Sequence, residues 1–250
     1  MDTRKITEAY YSCWLGSSEN LFSSSQAVTW LYATERNKVQ TGYGQQFDLW
    51  ALVTSDRLFL SYGDAASAKI EELKAVLDGY CPAEETAQKI QRVYGCKPQH
   101  SVKYVFRQAQ TDGQAARCLR SEDYPAYECF FQKNNPDCRN VSWLREYFEE
   151  MIAENLCCGV FLDGELVSCT DSPSVPYMAD MVREIGIHTL TGYRGKGYAK
   201  EACSLCIREM LKNGKCPVWS ADAENTGSRI LAECSGFAPF ADCLFLSLVQ

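Results

Sequence analysis

Short runs rich in β-branched and aromatic residues alternate with stretches whose apolar positions recur every three or four residues, and this alternation predicts a mixed α/β chain. Residues 47–54 and 58–62 read as strands around a turn at Ser55-Asp56, and 102–106 as a further strand. Between them Ile70, Leu73, Val76 and Leu77 fall on one helical face, which predicts a helix over 65–77, with Pro82 as a breaker and a second helix over 84–94. The first 45 residues mix both periods and predict no single element. No chemistry-bearing constellation stands out in this part.

The later part has a sharper pattern. Residues 143–155 predict a helix with Ser142 as its N-cap, and 158–162 with 165–170 predict a hairpin turning at Asp163-Gly164. A loop with Pro173 and Pro176 leads to a strand over 181–189. A helix over 199–211 follows, with Ala199, Ala202, Cys203, Cys206, Ile207, Met210 and Leu211 on one face and Asn213-Gly214 at its end. A short strand over 218–221, a short helix over 228–234 ended by Ser235-Gly236, and a strand over 241–249 complete the pattern. The polar stretch 108–114 separates the two parts, so the chain is expected to divide into an N-terminal α/β domain, 1–110, and a C-terminal domain, 116–250.

Between the predicted strand and helix stands Tyr193-Arg194-Gly195-Lys196-Gly197-Tyr198-Ala199. A helix start offers N–H groups without internal partners and the positive end of the helix dipole. Gly195 and Gly197 allow close approach of the backbone to an anion, and Arg194 and Lys196 add charge. The segment reads as a pyrophosphate cradle. It lacks the Ser or Thr after Lys196 of a Walker A loop and the third glycine of a dinucleotide fingerprint.

Composition changes this picture only at the edges. With 250 residues, 46% hydrophobic and 23% charged, the chain has ample material for a core. A net charge of −7 argues against non-specific nucleic-acid binding and against an anionic membrane surface, and is compatible with cationic substrates. The 14 cysteines lie mostly in apolar or small-residue settings, such as Cys157-Cys158 and Cys169, and no apolar segment follows Met1-Asp2-Thr3-Arg4-Lys5. The expectation is a reduced, cytoplasmic protein with no secretory signal and no membrane span. Cys203 and Cys206 have the spacing of half a zinc motif, but their place inside a helix reads as core, and no metal site is expected.

Downstream of the glycine turn, Asn225, Ser228, Leu231 and Gly236-Phe237 fall at offsets 0, +3, +6, +11 and +12. A strand, Arg-x-x-Gly-x-Ala, a helix, a short strand and this second motif, in that order, resemble the GNAT superfamily of acyl-CoA-dependent N-acetyltransferases over roughly 118–250. Trp219 and the pattern around Leu231-Ala232-Glu233 are similar to a bacterial branch with an extra N-terminal domain. The resemblance implies a mixed, mostly antiparallel, splayed sheet flanked by helices. It implies acetyl-CoA as co-substrate, with its pyrophosphate on Arg194, Gly195, Lys196, Gly197, Tyr198 and Ala199. The main chain of Ile187 to Thr189 would pair with the pantetheine arm, and Asn225 and Ser228 would lie beside the thiol end.

Acyl transfer to an amine needs a base, an oxyanion donor and a departing thiolate. On the predicted strand Glu184, Gly186 and His188 share one face, and Ile185, Ile187 and Thr189 the other. Glu184, partly withdrawn from water beside a cleft, is the first candidate base and His188 the second, with Gly186 leaving room for an acyl group. Many members of the family carry a tyrosine seven residues after the Asn as the acid. This chain has Ala232, so water, Tyr177 or Cys234 would have to serve, or the domain binds acyl-CoA without catalysis. The leading expectation is an N-acetyltransferase acting by direct attack in a ternary complex on a small-molecule or peptide amine. A non-catalytic acyl-CoA-binding or interaction protein is the alternative. The N-terminal part would wall the acceptor pocket or make a homodimer.

Overall fold

The computed structural model describes residues 1–40, 43–109 and 115–248. Its strands are β1 (Val28–Tyr32), β2 (Leu49–Val53), β3 (Leu58–Tyr62), β4 (Gln99–Phe106), β5 (Ala116–Cys118), β6 (Cys158–Leu162), β7 (Glu165–Asp171), β8 (Val182–Glu184), β9 (Gly186–Thr189), β10 (Cys216–Asp222) and β11 (Phe237–Leu246). Its helices are α1 (Thr3–Trp14), α2 (Asp64–Ser67), α3 (Ile70–Val76), α4 (Ala83–Tyr94), α5 (Tyr124–Asn134), α6 (Leu144–Ala153), α7 (Tyr198–Lys212) and α8 (Thr226–Cys234).

Two sheets result. A mixed seven-stranded sheet has the order β1-β3-β2-β11-β4-β10-β8, and a four-stranded antiparallel sheet has the order β5-β6-β7-β9. The predicted hairpins 47–54/58–62 and 158–162/165–170 are present as β2-β3 and β6-β7. Asp163 and Gly164 take φ of 50° and 83°, the backbone that a two-residue hairpin turn requires. Of the dividing stretch 108–114, residues 110–114 lie outside the described residues. Hydrogen bonding crosses that point of the sequence: β4 pairs with β10 on one side and β11 on the other, and β11 also pairs with β2.

Several elements depart from the sequence pattern. The helix expected over 65–77 is broken into α2 and α3 at Lys69, whose ammonium reaches the Val93 carbonyl in the last turn of α4 at 2.9 Å. Ser142 does not cap α6. Trp143 occupies the cap position, and the Ser142 hydroxyl instead donates to Asn140 at 2.8 Å. The last strand begins at Phe237 rather than 241, because Gly236 turns the chain with φ of 96° straight into the sheet. The strand expected over 181–189 is two strands. β8 pairs in parallel with β10 through Val218↔Glu184, and Ile185 N–H bonds the Val218 carbonyl at 3.1 Å. From Gly186 the chain pairs with β7 in the other sheet. Beyond Ile185, β9 and β10 therefore part.

Four apolar clusters fix these layers. Cys203, Cys206, Ile207 and Met210 of α7 pack against Ile185, Trp219 and Tyr104, and Leu73 and Ile90 of α3 and α4 pack against Leu49, Ala51 and Leu244. Both groups cover one face of the large sheet. Tyr10, Tyr11 and Trp14 of α1 cover the other face, against Trp50, Val182, Val218 and Cys243. Phe130 and Phe148 of α5 and α6 pack on Leu166 and Cys169 of the small sheet. Cys203 and Cys206 are fully buried, as their core reading requires. No helix among the described residues is long and apolar enough to cross a membrane.

Candidate active site

Gly195 and Gly197 have φ of 74° and 89°, a region that residues with a Cβ rarely enter. A Cβ on either would meet no heavy atom within 4 Å, so the space in front of the turn is open. Gly197 precedes α7, and the first helical bond runs from Glu201 N–H to the Gly197 carbonyl at 3.1 Å. The N–H groups of Tyr198, Ala199 and Lys200 come before that bond and have no helical acceptor. The Arg194 Nε donates to the Thr189 carbonyl at 3.1 Å, tying the turn to the end of β9. Lys196 lies 5.2 Å from the Tyr193 ring, and Tyr193 donates to Glu165 at 2.9 Å. The result is an open, cationic cradle braced on both sides.

β9 is an edge strand of the small sheet, with β7 on one side and the gap toward β10 on the other. Ile187 packs toward the α7 core, and the Thr189 hydroxyl bonds Ser168 at 2.8 Å. On the far side of the gap, Asn225 Oδ1 accepts from Ser228 N–H at 3.0 Å and caps α8. The Ser228 hydroxyl accepts from the Trp219 indole at 3.1 Å. Both side chains thus place α8 against β10. Gly186 is required by the fold: a Cβ there would lie 2.8 Å from the Asp171 carbonyl.

The break at Ile185 separates the two candidate bases. Their predicted common face does not exist, because Glu184 belongs to the large sheet and His188 to the small one. His188 lines a small cavity with Tyr127, Phe130, Asn134 and Asp171, under α5. Glu184 lines two cavities. One, of about 180 Å³, lies between α1 and the large sheet; the other, of about 300 Å³, is formed with Asp171, Pro173, Val175 and Gly186 at the gap. The two cavities share Tyr43, Glu184 and Ser220, so Glu184 stands where they meet. The Tyr43 hydroxyl donates to Glu184 at 3.3 Å. Burial pushes the phenols of Tyr43, Tyr10 and Tyr11 well up, and the Glu184 charge adds to the effect, so all three stay protonated.

Although no chemistry-bearing pattern is legible in the sequence before residue 110, Tyr10, Trp14, Tyr43, Trp50 and Lys103 all line the first cavity. The available signal was the aromatic density of the first fifty residues. Its helical spacing in α1 reads as ordinary core. Tyr177 stacks edge-on to Trp14 at 5.3 Å, Cys234 is exposed at the end of α8, and Ala232 is fully buried.

A family model described as GNAT acetyltransferase matches residues 82–240. The match begins ahead of the sequence-based boundary and takes in α4 and β4. An acetyltransferase of the GNAT family from Colwellia psychrerythraea superposes with a TM-score of 0.50 at 17% identity, over 59% of this chain and 55% of that one. A GCN5-related N-acetyltransferase from Sphaerobacter thermophilus gives 0.52 at 16% identity, over 64% and 55%. At such identities the likeness is one of fold, and the chain spans little more than half the length of either structure. No curated protein matches it.

Proposed function

The chain belongs to the GNAT acetyltransferase family, and from that premise we propose that it transfers an acetyl group from acetyl-CoA to a primary amine by direct attack in a ternary complex. One observation carries this reading. The gap between β9 and β10 has the glycine turn of α7 at one end, and Glu184 beside it at the junction of two cavities.

In this reading acetyl-CoA is a substrate held from the α7 side. Its pyrophosphate accepts from the N–H groups of the turn from Arg194 to Ala199, with the Arg194 and Lys196 charges beside it. The outer edge of β9, from Ile187 to Thr189, pairs with the pantetheine amides as an added strand would, while the Thr189 carbonyl also holds Arg194. Asn225 and Ser228 border the same gap. The acceptor enters from the α1 side, and Glu184 takes a proton from its ammonium. The amine nitrogen attacks the thioester carbonyl, a strand N–H holds the oxyanion, the C–N bond forms and the C–S bond breaks. The sulfur leaves as thiolate and takes a proton from water, since Ala232 offers none, and the second proton of the attacking nitrogen passes to the hydroxide so formed, which leaves a neutral amide, a thiol and water. His188, in its separate cavity, has no place in this scheme.

The complete burial of Ala232 favours one other reading, an acyl-CoA-binding protein without turnover. Calorimetry with acetyl-CoA and thiol release across a panel of amines separate the two. Glu184-dependent release on any amine establishes the enzyme. Tight acetyl-CoA binding with no release on any amine, and no change in Glu184→Gln, establishes the passive binder.

A further inference from the structure

We propose that the cavity between α1 and the large sheet is the acceptor site, and that it selects amines carrying a flat apolar body and an acidic group, as aromatic amino acids do. This rests on the N-acetyltransferase reading above.

The walls of the cavity are flat rings. Trp14 stacks on Trp50 with centroids 5.8 Å apart and planes 16° apart, while Tyr43 meets Trp14 edge-on at 5.4 Å. Tyr10 and Phe47 complete the wall. Such surfaces favour a planar apolar guest over a branched or highly hydrated one.

The floor is polar and unbalanced. Lys103 is 8% exposed, and its ammonium donates to the Ser220 hydroxyl at 2.8 Å. Among the described residues no carboxylate lies within ion-pair distance of it. Asp242, on the neighbouring strand, pairs with His100 at 2.7 Å, and Asp222, which lines the cavity opposite Ser101, accepts from the Glu224 N–H at 2.8 Å. A buried ammonium with a single hydroxyl partner is costly, and an anion supplied from outside relieves that cost. Two further groups point the same way. The hydroxyls of Tyr10, 1% exposed, and Ser101, 8% exposed, line the same cavity and have no partner at hydrogen-bond geometry. With Lys103 they make a donor set for a carboxylate.

Glu184 and Lys103 have a fixed order. Glu184 is paired with Val218 and Lys103 with Ser220, so they flank β10 from opposite sides on the face covered by α1. A guest lying across β10 presents its ammonium to Glu184, next to the gap, and its carboxylate to Lys103. Reversing the guest would set like charges together, so the polarity of the cavity also orients the amine toward the thioester.

The test uses the full chain with acetyl-CoA, and compares L-phenylalanine and L-tryptophan with phenethylamine and tryptamine, which lack the carboxylate. Thiol release should favour the two amino acids in kcat/KM by roughly tenfold to a hundredfold, the worth of one good charged contact. Lys103→Met should erase that ratio mainly by raising KM for the amino acids. Ser101→Ala, a milder change, should narrow it in the same direction. Equal use of both kinds of amine by the unaltered protein, or equal losses on both in Lys103→Met and Ser101→Ala, overturns the proposal. Acetylation of aliphatic amines alone overturns it and leaves the N-acetyltransferase reading standing. Failure to bind acetyl-CoA overturns both.

Discussion

The Tyr43 hydroxyl donates to Oε2 of Glu184 across 3.3 Å and 141 positions of sequence. Tyr43 sits on a loop closed by the Val39↔Gln46 bridge and the bond from Gln40 N–H to the Gln45 carbonyl at 2.8 Å. The N-terminal part thus reaches over the proposed base. Glu184→Gln should cut kcat about 10²–10⁴-fold with acetyl-CoA affinity retained. Tyr43→Phe should cost less, about tenfold, since it removes one bond to the carboxylate and keeps the ring. Steady-state thiol release with calorimetry on the same samples checks both, and a Tyr43→Phe loss equal to that of Glu184→Gln would count against Glu184 as the proton acceptor.

Gly197 and Gly214 stand at opposite ends of α7, with φ of 89° and 70° and open space at each Cβ position. Valine at either position should cost stability of about 1–2 kcal/mol or somewhat more, through backbone strain alone. Only Gly197→Val should also weaken acetyl-CoA binding, by tenfold or more, because only that strain distorts the cradle. Thermal melts and calorimetry on the pair separate strain from ligand loss; equal affinity in the two variants refutes the assignment of the turn.

Cys118 and Cys158 face each other across β5 and β6 with sulfurs 3.8 Å apart. Donation from the more buried Cys158 thiol pulls Cys118 down from 9.0 to about 7, against the burial that raises it. A lowered thiol pKa means more thiolate at neutral pH. Iodoacetamide labelling of Cys118, followed by mass spectrometry, should reach half its maximal rate near pH 7, and Cys158→Ala should move that midpoint upward. A midpoint that does not move shows that the neighbouring thiol is not the cause.

Burial holds the Asp171 carboxyl above its ordinary 3.8, even though the hydrogen bond from Tyr147 and the nearby His188 both lower it. The folded chain therefore binds this proton more tightly than the unfolded chain. The corresponding stability is complete below about pH 3.8 and is lost as pH rises through the folded value. Asp171→Asn keeps an acceptor for Tyr147 and removes the buried charge. Denaturation midpoints should show the unaltered protein losing ground to Asp171→Asn as pH rises over that window. A gap that instead widens on acidification reverses the sign and defeats the argument.

Features set by neighbours in sequence were legible. The glycine turn, the apolar face of α7 and the Asp163-Gly164 hairpin turn each rest on a few adjacent residues, and each is present in the structure. The break at Ile185 was not legible, because the alternation in 181–189 slips ahead of it, at Met181-Val182 and Arg183-Glu184, and nothing local marks a change of partner. Two partners far away in sequence, β10 and β7, divide it. Ser101 and Lys103 alternate with Val102 and Tyr104 as a solvent-facing edge would, but α1 covers them. Polarity along a strand indicates which residues share a face, and only tertiary packing decides whether that face meets water.

The position of β4 also has a consequence for how the chain is made. Its neighbours, β10 and β11, are both synthesised more than a hundred residues later, and β2 waits for β11 as well. On the ribosome the early strands must persist with bare edges until residues 216–246 emerge. Unpaired edges of this kind invite pairing with other chains. Yield on expression should therefore respond to translation speed and chaperone supply more sharply than the stability of the finished molecule would suggest.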